Sequence, residues 1–192
     1  MTADGRRRVL VTGTTGGIGG AVVRAAKAAG CEVVAFDRAD FAHPEELRAE
    51  GLDALVFCTG TCPVRPLAQT TDALLEETFR ANCVNFVTLL RRIVTGALMA
   101  PQGLRALAVS SVSATEGWPG GAAYCASKGA LSAVCRALDA ELKGRGVRVK
   151  AIEPRWVRTR MFEETAGRMG VDPALAQDPD ELAKEIIDEV LG

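Results

Sequence analysis

The chain has 192 residues, with 23 Lys and Arg against 24 Asp and Glu and a formal net charge of −1 with His43 neutral. That balance lacks the basic excess of a nucleic-acid binder or of a protein docked on an anionic membrane, and neither partner is expected. At 48% hydrophobic and 24% charged residues the composition is that of a folded globular chain, which excludes disorder and fibrous repeats. No apolar run approaches the roughly 18 residues of a membrane-spanning helix. Arg6, Arg7 and Arg8 precede a short apolar run that stops at Thr12-Gly13 without a cleavage-type segment, so the run reads as a first strand and the protein as cytoplasmic. The cysteines (31, 58, 62, 83, 125 and 135) are scattered through apolar segments and His43 is the only histidine, so no metal is expected. Cys58 and Cys62 form a CxxxC without further ligands, and buried thiols are the simpler reading.

In chain order, Val9–Thr12 reads as a strand, Ile18–Ala29 as a helix closed by Gly30, and Glu32–Phe36 as a second strand. A short helix over Pro44–Glu50, closed by Gly51, precedes a strand at Leu55–Cys58, a Thr- and Pro-rich loop and a long helix from about Thr71 to Met99. Arg105–Val109 is a strand feeding Ser110 and Ser111, Ala122–Lys143 a helix closed by Gly144, and Val147–Ile152 the last strand. Leu182, Ile186, Ile187 and Val190 at helical spacing make Pro179–Leu191 an amphipathic docking helix. The alternation predicts an α/β fold with a doubly wound parallel sheet in a single domain over residues 1–192.

Between the first strand and first helix stand Thr12, Gly13, Thr14, Thr15, Gly16, Gly17, Ile18 and Gly19. A tight turn whose bare backbone approaches a pyrophosphate needs glycine, and the helix start offers free N–H groups and a positive dipole end. Asp37 ends the second strand 18 residues beyond Gly19, near the spacing of the carboxylate that holds a ribose diol. That carboxylate repels a 2′-phosphate and favours NAD, while Arg38 next door keeps NADP possible. Asp40 either reaches the adenine edge or simply starts a turn.

Tyr124 and Lys128 are separated by four residues, which puts a phenol and an ammonium on one helix face. A nearby cation stabilises the phenolate and makes the phenol a usable proton shuttle. Ser111 stands 13 residues before Tyr124 at the carboxyl end of a strand, where open α/β sheets bind ligands and a hydroxyl can polarise a carbonyl. Singly, each has an ordinary alternative as a packing, surface or capping residue.

With TGTTGGIG, Asn82 in TFRANCVNF, and SSVSATEGWPGGAAYCASK, the sequence resembles the short-chain dehydrogenase/reductase family from about Val9 to Met161. The resemblance implies a Rossmann-like domain, shorter than the family's core, that transfers hydride between a nicotinamide and a carbonyl or alcohol carbon of a small-molecule substrate. It implies Tyr124 as the proton donor or acceptor, with Ser111 orienting the substrate oxygen. Lys128 would bind the nicotinamide ribose and lower the Tyr124 pKa, and Asn82 would support a proton-relaying water chain. Cofactor contacts are implied at Gly13, Thr15, Gly17, Ile18, Gly19, Asp37, Arg38, Asp40, Gly60, Lys128, Val157 and Thr159. A dimer through the two long helices is implied as well.

Three departures accompany the resemblance. The family's NNAG is FCTG at Phe57–Gly60, which removes an asparagine that ties neighbouring strands. Arg155 follows Pro154 where the family keeps glycine; it either binds an acidic substrate group, binds the pyrophosphate or turns to solvent. Only a short helix separates the second and third strands and nothing after Leu191 supplies a last strand, so the sheet is expected to lose an edge and the dimer not to become a tetramer. Residues 156–171 fall where the family builds its lid, and Trp118, Arg155, Trp156 and Met161 are the expected substrate contacts. A catalytically weak nucleotide sensor, or an imine reductase or epimerase on the same scaffold, is the alternative function.

Overall fold

The computed structural model describes residues 5–47, 49–96 and 103–192. Five parallel strands, β1 (Arg8–Thr12), β2 (Glu32–Phe36), β3 (Ala54–Phe57), β4 (Arg105–Val109) and β5 (Arg148–Ile152), form one sheet in the order β2-β1-β3-β4-β5. Helices α1 (Gly17–Ala28) and α6 (Pro179–Leu191) cover one face. Helices α2 (Asp72–Phe79), α3 (Asn85–Gly96) and α4 (Ala122–Leu142) lie on the other side, and α5 (Arg160–Met169) follows β5.

Both faces are buried, which is why the strands read as continuous apolar runs rather than as alternating ones. Leu10, Leu55, Phe57, Ala106 and Ala108 pack with Phe86, Leu90, Ile93 and Leu131. Val9, Val11, Val56, Leu107 and Val109, one residue out of phase, pack with Ala21, Val22, Leu182, Ile186 and Val190. The tail segment expected to dock is therefore part of the main core. Its helix starts on Asp178, whose side chain accepts from Asp180 N at 2.8 Å, with Pro179 in the first turn.

The elements differ from the sequence reading in three places. The expected Pro44–Glu50 helix is a single 3-10 turn, Pro44–Glu46, preceded by another at Asp40–Ala42; Arg48 lies outside the described residues. So short a segment cannot meet the cost of helix nucleation, and Phe41 instead packs edge-on against Phe36, with centroids 4.9 Å apart. The long helix from Thr71 is interrupted by a π-turn at Arg80–Val84, which turns Asn82 into the interior; Met99 lies outside the described residues. The chain leaves α4 through a 3-10 turn, and Gly146 at φ 77°, rather than Gly144, takes the left-handed position. With no strand between β2 and β3, β2 is an edge of the sheet.

Candidate active site

The chain crosses from one side of β1 to the other between β2 and β3, so the carboxyl ends of β1 and β3 flank a switch point. A pocket opens there, walled by the loops after β3, β4 and β5 and by the first residues of α1 and α4. It brings together Ser111, Tyr124 and Lys128 with Ile18, Gly60, Trp118, Arg155, Trp156, Val157, Thr159 and Met161. Gly13, Thr15, Gly17, Gly19, Asp37, Arg38, Asp40 and Asn82 lie outside the lining.

The glycine turn is dictated by close approach. Gly13 has φ 68°, and a Cβ there would lie 3.0 Å from the Cys58 carbonyl carbon and the Thr59 nitrogen. A Cβ at Gly19 would lie 2.1 Å from Gly13 O, so α1 can seat against β1 only with glycine at that position. Asp37 stands beside this turn: Thr14 N donates to its Oδ1 at 2.7 Å and the Thr14 hydroxyl donates to its Oδ2. Asp40 accepts from Asp37 N at 2.6 Å and so caps the turn, while Arg38 and Thr15 are exposed.

Thr12 ties the end of β1 to the residues that follow β3. Buried Thr12 Oγ1 accepts from Cys58 N and Thr59 N, both at 3.1 Å, and from the Thr59 hydroxyl at 2.8 Å. One hydroxyl oxygen thus joins the ends of β1 and β3. Asn82 clamps the next residues: its Oδ1 accepts from Thr61 N at 2.7 Å, and its Nδ2 donates to Thr61 O at 2.9 Å and to Ser127 Oγ at 2.8 Å. A Cβ at Gly60 would lie 3.1 Å from that Oδ1 and 3.5 Å from Lys128 Nζ, so a larger residue there would press on the Asn82 side chain.

Lys128 is buried, with Nζ donating to Val109 O at 2.8 Å and lying 5.7 Å from the centroid of the Tyr124 ring. Burial lowers its pKa from 10.5 to about 8. Burial also pushes the Tyr124 phenol upward, opposed by its hydrogen bond with Ser111. The desolvation of the phenol therefore runs against the direction in which a neighbouring cation moves it, and Tyr124 is held as a neutral acid. Ser111 Oγ accepts from Ser113 N at 3.1 Å, which leaves its O–H to donate. Trp118 is braced by Nε1 donating to Ser113 Oγ at 3.1 Å and lies 6.2 Å from the Tyr124 ring.

The far wall is a small separate cluster in which Phe162, Ala166 and Ala176 pack with Trp156 and Val171. Thr159 caps α5 by accepting from Phe162 N at 3.3 Å, and Val157 bridges to Gln177. Residues 156–171 thus carry α5 and form one wall of the pocket. Arg155 pairs with Glu116, Nη2 to Oε1 at 2.9 Å. Sequence reasoning missed Thr61, Cys62, Ser113 and Thr165, which also line the pocket. Cys62 follows β3 by five residues, and that position at a strand's carboxyl end was the available signal. Among the described residues no group of three or more His, Cys, Asp or Glu side chains gathers to hold a metal, and no helix is long and apolar enough to cross a membrane.

A doubly wound sheet with a glycine cradle after its first strand, and a serine, a phenol and a lysine at its switch point, has the architecture of a dinucleotide-dependent oxidoreductase. A family model described as enoyl-(acyl carrier protein) reductase matches residues 45–179. The chain is 31% identical to L-xylulose reductase of Bos taurus over 81% of its own length and 73% of that protein. It is 29% identical to a short-chain type dehydrogenase/reductase of Sinorhizobium fredii, covering 94% of this chain and 39% of the relative. A solved structure of a gluconate 5-dehydrogenase from Beutenbergia cavernae, described as NAD(P)-dependent and holding NADP at low occupancy, superposes with a TM-score of 0.82 at 25% identity over 94% of this chain and 88% of that one. The chain belongs to the short-chain dehydrogenase/reductase family, a family of oxidoreductases.

Proposed function

We propose that the protein is an NAD(P)(H)-dependent oxidoreductase interconverting a carbonyl and an alcohol on a small or medium-sized organic substrate. The observation that carries this reading is the convergence of Ser111, Tyr124 and Lys128 on one pocket beside the glycine turn.

The residues fit a dinucleotide. The turn keeps its backbone bare where a Cβ at Gly13 would crowd Cys58 and Thr59, and Asp37 stands at the end of β2 beside it. Gly13, Thr15, Gly17, Ile18 and Gly19 would hold the pyrophosphate, and Asp37 with Arg38 and Asp40 the adenosine end. Gly60, Lys128, Val157 and Thr159 would hold the nicotinamide end. When bound, the nicotinamide supplies or accepts the hydride. The Asp37 carboxylate repels a 2′-phosphate, so NAD(H) is the preferred form, with NADP(H) admitted through Arg38.

In the reducing direction the neutral Tyr124 phenol donates its proton to the substrate oxygen, which completes the alcohol together with the transferred hydride. Ser111, whose Oγ accepts from Ser113 N, donates its O–H to the same oxygen. Lys128, its ammonium 5.7 Å from the ring centroid, stabilises the phenolate that remains. Asn82 holds Thr61 and with it the wall along which a proton relay to solvent would run. Trp118, Arg155, Trp156 and Met161 face the substrate beneath the 156–171 lid. The protein is read as one cytoplasmic domain that pairs as a homodimer through α3 and α4, where Val87, Leu90, Val94 and Leu138 line a groove.

Fluorescence titration with NADH and with NADPH tests the reading. Saturable binding with NADH tighter is the expected result. Binding of neither overturns it in favour of a scaffold without this cofactor.

A further inference from the structure

Arg155 and Glu116 bridge two loops of the pocket, the one after β5 and the one before α4, through a single 2.9 Å contact between exposed side chains. Among the residues that line the pocket, Lys128 and Arg155 are the two cations, and no carboxylate is in the lining. Lys128 is buried and already donates to Val109 O, so Arg155, exposed and held by one ion pair, is the cation that can meet a ligand from solvent.

The segment carrying Arg155 has a direction. At its far end Thr159 lies against the glycine turn, since a Cβ at Gly17 would come within 2.5 Å of Thr159 Cγ2. At its near end Arg155 meets Glu116, in the loop whose Trp118 is bonded to Ser113 and faces Tyr124. Arg155 therefore sits on the side of Ser111 and Tyr124, away from the turn that would hold a pyrophosphate.

We infer that Arg155 determines specificity by binding the carboxylate of an anionic carbonyl substrate, with Glu116 as the internal placeholder that this carboxylate displaces. Glu116 takes one bond of a guanidinium that can give a carboxylate two parallel ones, and an exposed ion pair is weakly held, so exchange favours the ligand. The aromatic rings of Trp118 and Trp156 in the same lining suit an apolar body between the carbonyl and the acid. The inference rests on the oxidoreductase reading for the word substrate, and on the pocket alone for the anion.

Trp118 and Trp156 are the chain's two tryptophans and both line the pocket, so intrinsic fluorescence reports occupancy directly. The experiment titrates the full chain, with and without NAD, using keto acids of increasing chain length (pyruvate, levulinate and longer) and the methyl ester of each, and follows NADH oxidation in parallel. The expected result is that at least one acid binds about tenfold or more tighter than its ester, the worth of a charge-assisted bond. Arg155→Ala collapses that ratio to near one, Arg155→Lys restores part of it, and Glu116→Gln strengthens acid binding several-fold. Acids binding no tighter than their esters, or Arg155→Ala keeping the preference, overturns the inference. Acid-selective binding without NADH oxidation supports the anion site and overturns the oxidoreductase reading instead, whereas oxidation with acids and esters alike supports that reading and overturns this inference.

Discussion

Gly17 and Thr159 are pressed together: a Cβ built at Gly17 would lie 2.5 Å from Thr159 Cγ2 and 2.8 Å from its Cβ. Gly17 opens α1 and Thr159 caps α5, so the glycine turn and α5 are joined at one contact. Alanine has the higher helix propensity, an advantage that is small at the first residue of a helix. The contact decides otherwise, because overpacking costs about 1–3 kcal/mol and the displaced residue caps α5. Gly17→Ala is expected to lower thermal stability and weaken NADH binding, and adding Thr159→Ser, which removes Cγ2, to recover part of both. Equal stability of Gly17→Ala and the wild type, by calorimetry, would contradict this.

Thr12 carries the junction of β1 and β3. Thr12→Val keeps the shape and leaves the Cys58 and Thr59 N–H groups without their acceptor, at an expected cost of about 1–3 kcal/mol in urea unfolding. Thr59→Val, which loses only one hydroxyl donor, is expected to cost less.

Alkaline stability follows from buried groups. Burial raises all six thiols, Cys58, Cys62 and Cys135 from 9.0 to about 12, and lowers Lys128 from 10.5 to about 8. Above pH 9 the unfolded chain releases thiol protons that the folded chain keeps, so stability falls as pH rises. Between pH 8 and 10.5 the unfolded chain keeps a Lys128 proton that the folded chain has lost, so this group acts in the opposite direction. The two nearly cancel up to pH 9, and the thiols win beyond it, by roughly 1–3 kcal/mol at pH 10. Lys128→Met is expected to begin its decline about one pH unit earlier, as read by urea unfolding under reducing conditions.

Much of this was legible in the sequence because the signals were local. The glycine turn, the Tyr124–Lys128 spacing and the apolar strand runs each need only a few neighbouring residues, and all three recur in the structure. The π-turn at Asn82 was not legible, since it is imposed by partners 21 and 45 residues away, Thr61 and Ser127. The Thr12 tie and the Glu116–Arg155 pair are likewise long-range, and the upward push on Tyr124 depends on desolvation that no spacing reveals.

The proposed preference for NAD(H) rests on Asp37. Asp37→Ser removes the charge beside the adenosine end and is expected to bring NADPH affinity up about tenfold and NADH affinity down, measured by parallel titrations. An unchanged NADH to NADPH ratio would place the selectivity elsewhere.

In the proposed reaction Tyr124 moves the proton. The direct measurement is single-turnover oxidation of NADH with an accepted carbonyl substrate by Tyr124→Phe, alongside its NADH dissociation constant. The expected result is a rate lower by about 10²–10⁴ with NADH binding within about twofold of wild type. A rate near wild type would contradict it.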